Sequence, residues 1–91
     1  MESYRFIIRG KVQHVYYRKF VSRALQRLGV QGYVRNLNDG TVKVVARVYD
    51  DRYDAVIAAL EEGSPMSEVE RIDVETLEED DILYDGFEIR Y

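Results

Sequence analysis

The feature of this sequence that most constrains its fold is the order in which two hydrophobic periodicities follow one another. Residues 4–10 place apolar side chains at every second position, which is typical of a half-buried strand. Residues 17–28 instead carry apolar side chains at i, i+3, i+4, i+7, i+8 and i+11, which predicts one apolar stripe on an α-helix. Gly29 is a suitable residue to end that helix.

The rest of the chain extends this order with further strands and a second helix. The strands are predicted over residues 30–36, 41–48, 69–77 and 87–91, with the turn LNDG between the first two of these. The helix begins from an N-cap at Asp50 or Asp51 and ends near Gly63. Residues 78–81, EEDD, are predicted to form an acidic turn. The core-facing side chains predicted for the second helix and the last two strands are Tyr53, Val56, Ile57, Leu60, Ile72, Val74, Thr76, Phe87, Ile89 and Tyr91.

The resulting order is β-α-β-β-α-β with a short extra strand. It predicts an α+β fold, a ferredoxin-like split βαβ sandwich in which two helices cover one face of an antiparallel four- to five-stranded sheet. The first and second strands then run parallel through a right-handed crossover, so their carboxyl ends lie at the same edge of the sheet. The loop after Gly10, the start of the first helix and Asn36 should therefore meet there.

Length and composition limit the classes of protein that fit. The 91 residues predict a single domain over residues 1–91, and the absence of Cys excludes disulfides, thiol chemistry and thiolate metal sites. No metal-ligand spacing is visible, so we expect neither a metal nor a cofactor. A net charge of −4 does not favour nucleic-acid binding. With no apolar run that could span a membrane, the sequence predicts a cytoplasmic monomer.

The start of the first helix has an unusual charge pattern. The segment GKVQHVYYRKF offers no Ser, Thr, Asp or Asn as an N-cap and places Arg18 and Lys19 in the first turn, at the positive end of the helix dipole. Free N–H groups beside a guanidinium can bind a phosphate or a carboxylate. The pattern thus predicts an anion site, although an Arg18 side chain that simply points into solvent fits it equally well.

Two motifs give the chain a family resemblance. GKVQHVYYR, residues 10–18, is similar to the motif G-x-V-Q-G-V-x-[FY]-R, and GYVRNLNDGTV, residues 32–42, is similar to G-[FYW]-[AVC]-[KRQAM]-N-x-x-x-G-x-V. Both belong to the acylphosphatases, and GSPMSEVERIDV and FEIRY also resemble later segments of that family. Two separated motifs at matching spacing are a specific signal over nearly the whole chain.

The resemblance implies an enzyme that hydrolyses acyl phosphates to a carboxylate and inorganic phosphate. It implies that Arg18 and Asn36 are catalytic, with Arg18 binding the phosphate and Asn36 orienting the attacking water. It also implies a small-molecule acyl phosphate as the substrate and phosphate or other anions as inhibitors. The residues implied to bind phosphate are Gln13, His14, Val15, Tyr16, Tyr17 and Arg18.

Two positions depart from the family pattern. His14 stands where the first motif has Gly, which would accept positive φ and let the backbone approach a phosphate closely. The His14 ring is predicted to lie in solvent. One alternative is that the ring contributes positive charge to the phosphate site. The other is that His14 abolishes activity, which would make the chain an inactive anion-binding relative. Val48 stands where the second motif ends with Gly, and we expect it to affect packing.

A binding module is the alternative from another class. The uncovered face of the predicted sheet is rich in basic side chains with one obvious stacking ring, Tyr33, and this resembles the single-stranded RNA platform of RRM domains. The aromatic-rich RNP1 pattern is absent and the net charge is negative, so a solvated face is the better interpretation. The side chains predicted on that face are Arg5, Ile7, Arg9, Tyr33, Arg35, Lys43, Val45 and Arg47.

Overall fold

The elements of secondary structure follow the predicted order. The computed structural model describes residues 2–78 and 86–91. In chain order the elements are β1 (Glu2–Lys11), α1 (Tyr17–Arg27), β2 (Gln31–Asn36), β3 (Val42–Val48), α2 (Tyr53–Glu62), β4 (Glu68–Leu77) and β5 (Phe87–Arg90). The five strands form one sheet in the order β4-β1-β3-β2-β5. This confirms the predicted α+β class, with the fifth strand as part of the sheet.

The pairing of the strands brings the ends of β1 and β2 together. Both strands pair antiparallel with β3, so they run in the same direction with β3 between them. Ile8 of β1 and Asn36 of β2 both pair with Val42, which means that Asn36 lies level with the carboxyl end of β1. β5 adds to the other side of β2 in parallel. The carboxyl ends of β1 and β2 therefore lie at the same edge of the sheet, as predicted.

The core lies between the sheet and the two helices. Phe6 and Val44 face the helices from the sheet, while Leu25 of α1 and Leu60 of α2 pack onto them, and all four are fully buried. Each such side chain contributes about 1.5–3 kcal/mol through burial. Val48, at the position of the second motif's final Gly, is buried in the same core, as the expected role in packing requires.

The predicted start of the second helix was wrong. Asp50 and Asp51 do not cap α2; they belong to a single 3₁₀ turn, Asp50–Arg52, that precedes it. Arg52 occupies the N-cap position of α2, and no side chain caps the helix there. The tighter 3₁₀ turn uses the two acidic residues at its own amino end, so α2 begins one or two residues later than the N-cap signal suggested.

Four predictions of buried side chains were also wrong. Val74 is 43% exposed and Thr76 is exposed, because β4 is an edge strand. Tyr91 is 89% exposed because it follows the last residue of β5. Phe20, on the predicted stripe of α1, is 39% exposed. Of the predicted acidic turn, Glu78 forms a bend, and residues 79–81 lie outside the described residues.

The sheet face away from the helices is charged and internally paired. Arg5 pairs with Glu75 across β1 and β4, and Asp73 accepts from both Arg9 and Arg71 at 2.9 and 2.6 Å. Val45, predicted on this face, is only 5% exposed because Arg5 and Tyr33 flank it on the neighbouring strands. None of the helices within residues 2–78 and 86–91 has the length and apolar character needed to cross a membrane.

Candidate active site

A cavity of about 690 Å³ opens where β1, β2 and α1 meet. Of the residues predicted for the site, the structure brings five to its lining: His14, Tyr16, Tyr17, Arg18 and Asn36. Gln13 and Val15 lie behind this lining and face the protein instead. Lys19, Ile89 and Tyr91 line the cavity as well, although the sequence had not singled them out for the site.

The loop between β1 and α1, residues 12–16, has a backbone suited to binding an anion; we call it the cradle loop. His14 and Tyr16 both have φ of 63°, while Val15 between them does not have positive φ. Left-handed residues in a loop can turn successive N–H groups toward one concavity, which is a known anion-binding geometry. Among the described residues, the Phe20 N–H is the first in α1 to donate to a backbone carbonyl. Its acceptor is the Tyr16 carbonyl, at 3.2 Å.

The cradle loop is fixed from below by buried contacts. Val12 and Val15 alternate with the exposed His14 and pack into the core. The Ser64 hydroxyl donates to the Val15 carbonyl at 2.6 Å, and this bond is buried. The side of the loop opposite the cavity is therefore held rigidly, and the N–H groups of the loop are preorganised.

Gln13 ties the cradle loop to the hairpin that carries Asn36. Its Nε2 donates to the carbonyls of Leu37 at 2.7 Å and Thr41 at 2.8 Å. The Gln13 side chain thus positions the loop against the turn between β2 and β3. Its predicted part in phosphate binding is limited to what its backbone can supply.

The same turn is held locally by Asp39. Its Oδ1 accepts from the Thr41 hydroxyl at 2.6 Å and from the Thr41 N–H at 3.0 Å. These two bonds keep the pKa of Asp39 below its usual value. The turn is thereby shaped so that the Thr41 carbonyl remains available to Gln13.

Tyr17 anchors the first residue of α1 rather than offering a catalytic hydroxyl. Its side chain is 1% exposed, and the hydroxyl donates to the Leu60 carbonyl at 2.7 Å. Burial raises the pKa of this hydroxyl. Gly63 makes this packing possible, because a Cβ at that position would lie 2.6 Å from Cε1 of the Tyr17 ring.

Arg18 is oriented by the end of the chain. Its Nη1 donates to the Arg90 carbonyl at 3.2 Å, and its guanidinium carbon lies 4.7 Å from the centroid of the Tyr91 ring. The half-buried side chain is therefore held at the cavity instead of extending freely into solvent. Tyr91 was expected to be a core or boundary residue, and the only sequence signal for this role was its position next to the last strand.

Asn36 lines the cavity and carries a buried side-chain oxygen that has no hydrogen-bond partner. Its Oδ1 is buried and is the one buried side-chain polar atom within residues 2–78 and 86–91 that has no hydrogen-bond partner. A buried amide oxygen without a partner costs about 1–3 kcal/mol. Such an atom next to a cavity is suited to accept a hydrogen bond from a small bound molecule such as water.

His14 occupies its position without distorting the loop's anchors. The side chain is exposed and lines the cavity, and its φ of 63° lies in the left-handed region that His tolerates better than most residues. Across the described parts of the chain, no group of three His, Cys, Asp or Glu side chains is arranged to hold a metal ion. The polar side chains that line the cavity thus include one guanidinium, one ammonium, one amide and the His14 imidazole.

Comparison with known proteins identifies the same architecture elsewhere. The family model Acylphosphatase matches residues 4–89. An acylphosphatase of Thiobacillus denitrificans is 39% identical over 90 residues, which cover 99% of this chain and 98% of the relative. An acylphosphatase of Thermococcus kodakarensis is 39% identical over 82 residues, 90% of this chain and 88% of that protein.

Solved structures agree with this similarity. The crystal structure of acylphosphatase from Bacillus subtilis superposes with a TM-score of 0.92 at 32% identity, and all of both chains is covered. The structure of an acylphosphatase from Coxiella burnetii gives a TM-score of 0.87 at 30% identity, covering 98% of this chain and 92% of the other. The similarity therefore extends over the whole sandwich, including both strands that carry the candidate site.

Proposed function

This chain belongs to the acylphosphatase family and hydrolyses acyl phosphates, and we propose that the cradle loop, Arg18 and Asn36 carry out the reaction. The observation that carries this assignment is the convergence of three groups on one cavity: the N–H groups of a loop with alternating φ, a guanidinium and an unpaired amide oxygen. Phosphoryl transfer depends chiefly on positioning and on stabilising charge, and these groups supply both.

In this proposal the phosphate of the substrate sits over the cradle loop. The loop N–H groups and the amino end of α1 surround its oxygens, and the Arg18 guanidinium donates to them from the side. Preorganised donors of this kind stabilise the charge that spreads over the equatorial oxygens in the transition state. Gln13 and Ser64 hold the loop, and Tyr91 holds Arg18, without contacting the phosphate themselves.

Asn36 orients the attacking water in this proposal. Its Oδ1 accepts a hydrogen bond from the water and directs the lone pair of the water oxygen toward phosphorus. The new O–P bond forms as the bond between phosphorus and the carboxyl oxygen breaks, and the electron pair of that bond leaves with the carboxylate. The water proton passes to a phosphate oxygen. A carboxylate is a good leaving group, so the reaction requires no general acid.

Two alternatives fit the contacts less well. The family match and the anchored cradle loop argue against an inactive relative caused by His14, because Gln13 and Ser64 hold the loop in place with His14 present. An RNA platform would need an open stacking ring on the sheet. The Arg90 guanidinium carbon lies 4.0 Å and Lys43 Nζ 5.5 Å from the centroid of the Tyr33 ring.

The substrate class, the oligomeric state and the compartment of the enzyme can be proposed as well. The substrate is a small-molecule acyl phosphate, and we propose that the enzyme acts as a monomer. The lack of Cys fits a reducing compartment such as the cytoplasm. Inorganic phosphate should compete with the substrate for the cradle loop.

The decisive test is hydrolysis of benzoyl phosphate by chelator-treated protein, with Arg18→Gln alongside. We expect rapid turnover that phosphate inhibits competitively, and a loss in the variant of at least ~3 kcal/mol of transition-state stabilisation, about 100-fold in kcat/KM. Arg23→Gln, an exposed change on the same helix, is the matched control and should leave kcat/KM unchanged. Near-normal turnover by Arg18→Gln contradicts the assignment.

A further inference from the structure

We propose that Lys19 recognises a second negative charge on the substrate, so that the preferred substrates are acyl phosphates whose acyl group carries a carboxylate or a similar anion. This inference rests on the proposed function, because it takes the phosphate to be bound at the cradle loop. It concerns recognition of the acyl group, the part of the substrate that lies outside the phosphate.

The size of the cavity leaves room for such a group. Its volume is about 690 Å³, whereas one water molecule occupies about 30 Å³ of liquid and a phosphate only a few times that amount. The cavity falls within the range of about 300–1,000 Å³ that is typical of sites for whole small molecules. Most of the space therefore belongs to the acyl group, and the residues around it determine which acyl groups fit.

Lys19 reaches this space from a different direction than Arg18. Both side chains line the cavity, and they are consecutive residues of α1. Successive side chains of an α-helix project about 100° apart, so the two side chains leave the helix in different directions. Arg18 is also fixed by the Arg90 carbonyl, whereas the flexible Lys19 stem can follow a charge farther from the cradle loop.

The charge of the cavity is unbalanced without a second anion. The chain has 17 acidic and 13 basic residues, yet no Asp or Glu is among the described residues that line the cavity. The ion pairs found between described residues involve Arg5, Arg9, Arg71 and Arg90, and none involves Lys19. The first turn of α1 has no acidic residue either. A bound phosphate faces the cradle loop and Arg18, and no Asp or Glu within residues 2–78 and 86–91 forms an ion pair with Lys19.

A cation at the amino end of a helix is unfavourable when nothing binds there, since it faces the positive end of the dipole. Lys19 therefore adds a repulsion to the empty site that a doubly anionic substrate removes. A single phosphate removes part of it, and an anion on the acyl group removes the rest. This difference is the source of the expected selectivity.

The test compares two rigid substrates that differ by one charge, benzoyl phosphate and 3-carboxybenzoyl phosphate. The measured quantity is the ratio of kcat/KM for the carboxylated substrate to that for the plain one. We expect Lys19→Met to lower this ratio about 2- to 5-fold, mainly through KM of the carboxylated substrate, as for an exposed ion pair. Lys19→Arg should restore most of the ratio because it returns the charge.

Arg23→Met is the matched control, since it removes a positive charge from the same helix at an exposed position outside the cavity lining. It should leave the ratio unchanged. An unchanged ratio in Lys19→Met, or an equal fall in Arg23→Met, overturns the inference and leaves the proposed function intact. Failure of the wild-type protein to hydrolyse either substrate overturns the proposed function, and the inference with it.

Discussion

The guanidinium carbon of Arg18 lies 4.7 Å from the centroid of the Tyr91 ring, so the proposed phosphate-binding cation and the exposed aromatic after β5 form a cation–π pair. The pair joins the start of the first helix to the end of the last strand. A second contact, from Arg18 Nη1 to the Arg90 carbonyl, lies in the same place. The direction of the guanidinium is therefore set by a segment more than seventy residues farther along the chain.

Replacing Tyr91 by Leu should weaken substrate binding without abolishing the reaction. An exposed cation–π pair is worth about 0.5–1 kcal/mol, so we expect KM and the inhibition constant of phosphate to rise about 2- to 5-fold, with a smaller change in kcat. Steady-state kinetics with benzoyl phosphate measures both constants. Tyr49→Leu, which changes an exposed tyrosine outside the cavity lining, should leave them unchanged. Equal effects of the two variants contradict the role of Tyr91.

Gln13→Ala should loosen the connection between the cradle loop and the hairpin that carries Asn36. The change removes one donor from each of the Leu37 and Thr41 carbonyls, which keep their backbone donors Gly40 and Leu37. Two hydrogen bonds of about 0.5–1.5 kcal/mol each are lost, so we expect the free energy of unfolding to fall by about 1–3 kcal/mol. Turnover should fall as well, because the loop and Asn36 lose their fixed separation. Urea denaturation and benzoyl phosphate hydrolysis measure the two effects. Gln31→Ala, at an exposed position of β2, should change stability by less than about 0.5 kcal/mol.

The order of the elements and the edge of the sheet at which the site forms were predictable from periodicity and the direction of strands. The uncapped start of α1 was predictable too, because the absence of a capping residue before Tyr17 is visible in the sequence. The contact between Arg18 and Tyr91 was not, since it depends on where the chain goes after β5. The exposure of Val74 was missed for a similar reason: alternation identifies a strand but does not reveal that it lies at the edge of the sheet.

Replacing His14 by Gly should stabilise the protein. His14 has φ of 63°, a region that costs a residue with a Cβ more than it costs Gly, and its exposed ring contributes no burial. We expect the free energy of unfolding to rise by about 0.5–1 kcal/mol and activity to be kept or raised. His14→Val should do the opposite, because a β-branched residue tolerates positive φ poorly. A fall in kcat/KM of His14→Gly at unchanged stability would assign the ring a positive role.

Asn36→Ala should separate turnover from phosphate binding. Its Oδ1 is buried without a protein partner, and in the proposed mechanism this oxygen orients the attacking water and does not contact the phosphate. Since a misplaced reactant costs about 100-fold, we expect kcat to fall by about that factor, while the inhibition constant of inorganic phosphate stays within about 2-fold of the wild type.

The matched control for this last change is Asn38→Ala, which alters the same residue type in the same hairpin at an exposed position. It should leave both constants unchanged. Loss of phosphate binding in parallel with kcat would mean that Asn36 supports the cradle loop instead of the water. If Asn36→Ala lowers neither kcat nor phosphate binding, Asn36 has no role in the mechanism, and its buried unpaired oxygen makes no contribution to catalysis. Asn36→Ala also removes the buried unpaired oxygen, so the free energy of unfolding should stay the same or rise. The proposed role requires this result together with a low kcat.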